Sequence, residues 1–313
     1  MNLENYVKDS VDRMVGRGDE NQSIWLENLL THTLAQLFRY RYPATPWSSG
    51  DLVALDFTAP PGANGVQWEM LGDVGLFDTV ADSADDLPMV DLQGSTKYNK
   101  AITIAGAIRY SEQSMQASDM QGMFNIAAEK GIAARRAYDR TLNNYIRIGS
   151  AKDSIDGMTN MPGRFDLPTT GAWSGLTPSQ ICEDVVTAFG TIFDGTGGVF
   201  TPDTVVLPTS VKSLFKRQNS VAANTSIEQF LKDTYPEVTK WVYDIGMNTA
   251  GRGGTAAMIM YVRDPTVCRV LIPEFMRPLT VRPDNLSWVV PFKSRFAGIL
   301  NTNPGTICTM FGI

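Results

Sequence analysis

The most regular apolar pattern in the chain runs from Met120 to Tyr145. Met120, Phe124, Ala127, Gly131, Ala134, Tyr138, Leu142 and Tyr145 recur at steps of three and four, the spacing that lines one face of an α-helix. Ser118 and Gln121 precede it at capping-box spacing and Gly149 follows it, so a helix over 118–149 is predicted, roughly 45 Å long at 1.5 Å per residue. Phe124, Tyr138, Leu142 and Tyr145 are its expected core. Glu129, Lys130, Arg135, Arg136, Asp139, Arg140 and Arg147 fall on its polar faces.

Elsewhere the period changes to two. Val66 to Leu71 reads as an outgoing strand and Tyr98 to Tyr110 as a returning one, with Ile102, Ile104 and Ile108 on one face. Between them lie Asp73, Asp78, Asp82, Asp85, Asp86 and Asp91, with Gly72, Gly75, Pro88 and Gly94. Residues 51–110 are therefore expected to form an extended loop, a β-ribbon with flanking strands that enters through the turn Ala59–Gly65. Two strands cannot cover their own apolar face, and an open edge is a template for another chain. Trp68, Met70, Leu76, Phe77, Ile102, Ile104 and Ile108 are accordingly the expected contacts with a second molecule. The arm at 1–50 poses the same problem: a helical pattern from Ser23 to Phe38, closed by Tyr42-Pro43 and Pro46, leaves Trp25, Leu29 and Phe38 with nothing local to cover them.

Residues 111–175 hold the long helix, and 176–280 read as a mixed lobe. Thr177-Pro178-Ser179-Gln180 starts a helix, Thr204–Leu207 is a strand stopped by Pro208, and short helices are expected at Thr209–Lys216 and Ser226–Tyr235. Strands follow near Lys240–Tyr243, Met258–Val262 and Val267–Ile272. The tail 281–313 is strand-rich and is expected to close a sheet. The class is α+β, without regular βαβ winding.

Composition narrows the functions. The 313 residues are 43% hydrophobic and 19% charged, ordinary for a folded protein large enough for two lobes. No apolar run approaches the roughly 20 residues that span a bilayer, and Met1–Ser10 has no signal-peptide core, so no membrane partner is expected. Cys182, Cys268 and Cys308 are far apart among apolar neighbours, the pattern of buried reduced thiols. His32 is the single histidine, which leaves zinc sites and hydrolase triads without their parts. Gly251-Arg252-Gly253-Gly254 lacks the lysine and hydroxyl of a phosphate loop, and Asp82, Asp85 and Asp86 lack the spacing and closing Glu of a calcium loop. No catalytic residue, metal ligand or cofactor is expected.

The net charge of −6 is unevenly spread. Residues 1–96 hold five basic and fifteen acidic side chains, and the remainder holds 22 basic and 18 acidic, giving −10 and +4. That front is either a solvated acidic surface or a segment that reaches onto the basic body of another copy. A pI near 4.9 argues against tight, direct nucleic-acid binding.

Leu87-Pro88-Met89-Val90-Asp91, Ile102–Ile108, Ser111-Glu112, Ala133-Arg135-Arg136-Ala137-Asp139, Ile148-Gly149-Ser150 and Ile155-Asp156-Gly157-Met158-Thr159-Asn160-Met161-Pro162 together resemble tailed-phage major capsid proteins of the Hong Kong 97 fold, in the DUF2184-type major capsid family. Phe200–Pro208 and Val290–Pro304 extend the likeness over most of the chain. The resemblance implies an N-terminal arm at 1–50 and an extended loop lying over a neighbouring subunit at 51–110. It implies a peripheral domain at 111–175 with its spine helix, an axial domain at 176–280, and a tail at 281–313 returning to the peripheral sheet. It also implies a structural role without catalysis: pentamers and hexamers made in the host bacterial cytoplasm, closing an icosahedral virion head around double-stranded DNA without sequence-specific binding. Portal, scaffold and decoration proteins are the other implied partners, and the absence of a coiled-coil leader puts any scaffold in a separate protein. Some members weld subunits by a lysine–asparagine bond, for which Lys97 and Lys100 on the returning ribbon are the candidates, with solvated lysines the plainer reading. An encapsulin-type compartment is the alternative on the same fold. A cytosolic enzyme or monomeric binding protein is the alternative of another class.

Overall fold

The computed structural model describes residues 40–79, 89–113, 116, 126–218 and 225–313. The backbone divides into Met1–Pro43, of which extended residues 40–43 are described, and a compact unit Ala44–Ile313 that carries every element below. In chain order these are β1 (Ala54–Asp56), β2 (Gly65–Val74), β3 (Asp91–Lys100), β4 (Ile102–Ser111), α1 (Ile126–Arg147), β5 (Gly149–Ser150), β6 (Ile155–Asp156) and β7 (Phe165–Pro168). There follow α2 (Pro178–Gly195), β8 (Thr204–Pro208), α3 (Lys212–Phe215), α4 (Ile227–Thr234), β9 (Lys240–Asp244), β10 (Ala257–Tyr261) and β11 (Cys268–Leu271). The chain ends with β12 (Glu274–Pro278), β13 (Arg282–Asp284), β14 (Ser287–Phe296), β15 (Ile299–Asn301) and β16 (Ile307–Phe311).

A five-stranded sheet, β7-β16-β10-β8-β9, stands between two hydrophobic cores. Val206, Ala257, Ile259, Tyr261 and Ile307 point to one side, and Val205, Leu207, Met258, Met260, Cys308 and Met310 to the other. Every residue of β8 and β10 is buried, which is why their sequences read as unbroken apolar runs instead of alternating. One core is covered by α1 through Tyr138, Leu142 and Ile146, with Trp47, Met158 and Phe296. The other is covered by α2 through Ile181, Val185, Ala188 and Ile192, with Trp173, Phe215 and Leu231. The start of α2 follows from its sequence, since the Thr177 amide donates to Gln180 Oε1 at 3.0 Å and Pro178 occupies the first helical position. Among the described residues, α1 ends at Arg147. Gly149 then takes φ +80°, where an added Cβ would lie 2.3 Å from the Ile155 carbonyl oxygen.

Two expected elements are divided. The returning arm Tyr98–Tyr110 is two strands that part at Ala101: β3 pairs with β2, and β4 pairs along its full length with β14. The tail is shared among three sheets, with β14 between β12 and β4, β15 beside β11, and β16 between β10 and β7.

A buried polar cluster ties the segment before β1 to α1 and β9. Asp244 accepts from Trp47 Nε1 at 2.9 Å and from the Gly246 amide at 3.0 Å, and pairs with Arg147 at 3.5 Å. Asn143 accepts from the Trp47 amide at 3.0 Å. In the second lobe, Glu228 accepts from Lys232 at 2.7 Å, Lys216 at 2.8 Å and Tyr243 at 3.2 Å. Burial alone would raise the Glu228 carboxyl, but hydrogen bonds and charge from the two lysines outweigh it and hold the group at about 2.

Two outcomes are expected. Asp244→Ala leaves the Trp47 indole without its acceptor and strips the buried Arg147 of its carboxylate, keeping only its bond to Asn144, and urea unfolding of the unassembled chain should show a loss of about 3 kcal/mol. Glu228, depressed in the folded state, contributes stability that is complete above its ordinary value of 4.5 and disappears as pH falls toward about 2. Glu228→Gln should remove that part of the acid dependence in thermal melts recorded across this window.

Candidate assembly surface

Strands β2 and β3 run antiparallel from the Gly65–Lys100 pair to Val74–Asp91, ten residues each, a ribbon of about 34 Å. They form a two-stranded sheet with no further strand on either edge among the described residues. The base is anchored. Trp68 and Val66 pack on Ala101, Leu271, Ala297 and Leu300. Asn99 Nδ2 donates to the Ile299 carbonyl at 2.9 Å, and Arg295 Nη1 donates to the Pro61 carbonyl at 2.7 Å.

Toward the tip the apolar side chains lose their cover. Met70 is half-buried, Leu71, Val74, Val90 and Leu92 are exposed, and Leu76, Phe77 and Met89 are 83%, 91% and 89% exposed. These large apolar residues form an exposed patch on a narrow strand pair, the kind of surface on which contacts are commonly built. Val74, Met89, Val90 and Leu92 were not among the sequence-predicted contacts. Continuing the two-residue period past Met70 and back from Tyr98 would have found the strand members.

The remaining predicted contacts go elsewhere. Ile108 is buried, and Ile102 and Ile104 pack against the core beneath α1, so β4 spends its apolar face on its own body once it pairs with β14. On α1, Leu142 is fully buried, Tyr138 hydroxyl lies 2.9 Å from Ser294 Oγ, and Tyr145 stacks on Phe296 at 6.0 Å. Burial raises the Tyr138 phenol above its ordinary value. Phe124, and the arm residues Trp25, Leu29 and Phe38, lie outside the described residues. Lys97 and Lys100 are exposed on β3, facing Trp68 and Gly65 across the ribbon. Both border a cleft of about 300 Å³ shared with Trp68, Asn99, Asp156 and Asn301.

Chemistry has little to work with. Among the described residues no group of three or more His, Cys, Asp or Glu is placed to hold a metal, and no helix is long and apolar enough to cross a membrane. The three cysteines are free and buried, and burial pushes the Cys268 and Cys308 thiols up to about 12. Charge is placed more pointedly. From Glu69 to Asp91 the ribbon sequence contains seven acidic residues and no lysine or arginine, whereas α1 carries five basic residues against two acidic ones.

A sequence family described as major capsid protein matches residues 77–313. The fold resembles the capsid of Myoviridae phage XM1, with a TM-score of 0.80 at 17% identity, covering 91% of this chain and 98% of that one. A chain from Microbacterium phage Oxtober96 aligns with a TM-score of 0.63 at 14% identity over 91% and 97%. The virus-like particle from Pyrococcus furiosus aligns with a TM-score of 0.50 at 11% identity over 77% and 86%. Among curated protein sequences none matches the chain. The α+β architecture is thus of the Hong Kong 97 type.

Replacing Leu76 and Phe77 together by Ser should move the thermal stability of the unassembled chain by less than about 0.5 kcal/mol, since both are exposed. Ile108→Ala should cost about 3 kcal/mol in the same thermal measurement, since it empties a buried site on β4.

Proposed function

The chain belongs to the major capsid protein family, and from that membership we propose that it builds the head of a tailed bacteriophage, its copies closing into pentamers and hexamers of an icosahedral shell around double-stranded DNA. As a capsid protein it joins copies of itself in a lattice. The uncovered distal ribbon carries the finer reading: Leu76, Phe77 and Met89 stand on the surface of a chain whose own cores are complete without them.

In this reading residues 51–110 reach over a neighbouring subunit, 176–280 lie toward the centre of each ring, and the 1–50 arm ties neighbours together. The ribbon and the surface it lands on are different patches of one chain, so the contact is heterologous and generates rings where the rotation closes. Single contacts need only modest strength, because every subunit makes several at once. Charge supports the arrangement, with −10 on residues 1–96 and +4 on the rest. DNA is enclosed without sequence-specific contact, and the acidic balance of the chain disfavours tight binding to its phosphates. Portal, a separate scaffold and a decoration protein complete the particle.

Expression of the full chain, followed by sedimentation and negative-stain microscopy, is expected to give closed isometric shells that loosen as salt rises. A chain that stays a monomer at all concentrations, with its scaffold supplied, would overturn the reading. Shells that fill with a protein cargo and exclude DNA would instead favour an encapsulin-type compartment.

A further inference from the structure

The apolar stripe of β4 has a gap in it. Ile102, Ile104 and Ile108 alternate on the face turned to α1, and the fourth position of that face is Gly106. A Cβ built on Gly106 meets nothing within 4 Å. Opposite stand small residues again, Ala134 and Ala137, three apart on α1 and hence on one face of it. The missing side chains leave an apolar groove of about 170 Å³ between strand and helix, floored by Phe292 and Met276. Such a hole forfeits contacts that a Val or Leu at 106 would supply, so it is a cost to the free chain.

We propose that this groove receives Phe77 from the ribbon of a neighbouring copy. The inference rests on the shell reading above and names the landing site of the ribbon. Three observations choose the occupant. The first is size: a dry apolar cavity of about 150 Å³ holds a benzene ring, so the groove suits one phenyl group. The second is availability, since Phe77 is 91% exposed and lies three residues beyond the last ribbon pair, Val74–Asp91. The third is charge. Phe77 is followed by Asp78 and preceded by Asp73 in a stretch without any lysine or arginine, whereas α1, which borders the groove, carries Lys130, Arg135, Arg136 and Arg140 against Glu129 and Asp139, leaving aside Arg147, which is buried on Asp244. Lys293, which lines the groove, shares the buried Glu274 carboxylate with Arg277, its partner across β12 and β14, so two cations on that side meet one carboxylate.

The full-length chain carrying Phe77→Cys with Ala137→Cys, treated with a short thiol-to-thiol cross-linker, tests the seating. The native cysteines are buried and do not compete. Assembled shells are expected to give a ladder of covalent oligomers that neither single variant gives. Gly106→Leu, whose Cβ has open space and whose side chain fills the groove, is expected to melt no lower than the wild type and to raise the concentration needed for assembly by about tenfold or more. Shells that form normally without the ladder, a ladder from Trp25→Cys with Ala137→Cys in its place, or Gly106→Leu assembling at the wild-type concentration would each overturn the seating while leaving the shell intact. A wild-type chain that makes no particle overturns both.

Discussion

A sheet with two apolar faces must be covered twice, and most of this molecule is a response to that requirement. The strands β8 and β10 bury every residue, so neither face can be left to water. Helix α1 and the segment around Trp47 close one side, and α2 with α3 and α4 closes the other. The covers come from distant parts of the chain, which is why β16, almost the last segment, runs between β7 and β10 in the middle of the sheet. With both cores complete, the ribbon is surplus to the fold. It is held by its base at Trp68 and Asn99, and at its tip the described residues beyond Val74 are exposed.

That division separates folding from association. Residues that stabilise the single chain, such as Leu142 or Ile108, lie inside it, and residues whose burial would bring a second chain closer, such as Leu76 and Phe77, contribute nothing to it. The reverse arrangement holds in the groove beside Gly106, where the chain gives up packing of its own. In the proposed seating, surplus on one surface meets deficit on another, as a heterologous contact requires.

Much of this was legible in the residues. The three-and-four spacing through Tyr138, Leu142 and Tyr145 identified α1 and its buried face, and Thr177 with Gln180 marked the start of α2. The ribbon was legible as two strands around an acidic middle. Its partner change at Ala101 was not, because strand periodicity is the same on both sides of the break and only the pairing differs. Period alone therefore makes Ile102, Ile104 and Ile108 look like outward contacts, whereas β4 spends them on its own body. The order of strands in the five-stranded sheet depends on pairings between residues far apart in sequence, which local spacing does not encode. The groove escaped notice for a simpler reason, being made of side chains that are not there.

The cluster at Asp244 has a bearing on shape. By holding Trp47, Arg147 and the end of β9 to one carboxylate, it fixes the segment before β1 and the end of α1 to the edge of the five-stranded sheet. A cover fastened in this way keeps the sheet and both of its cores as one body, so differences of curvature between a domed vertex and a flat facet fall to the exposed side chains of the ribbon beyond Val74, where the chain has nothing of its own packing to give up.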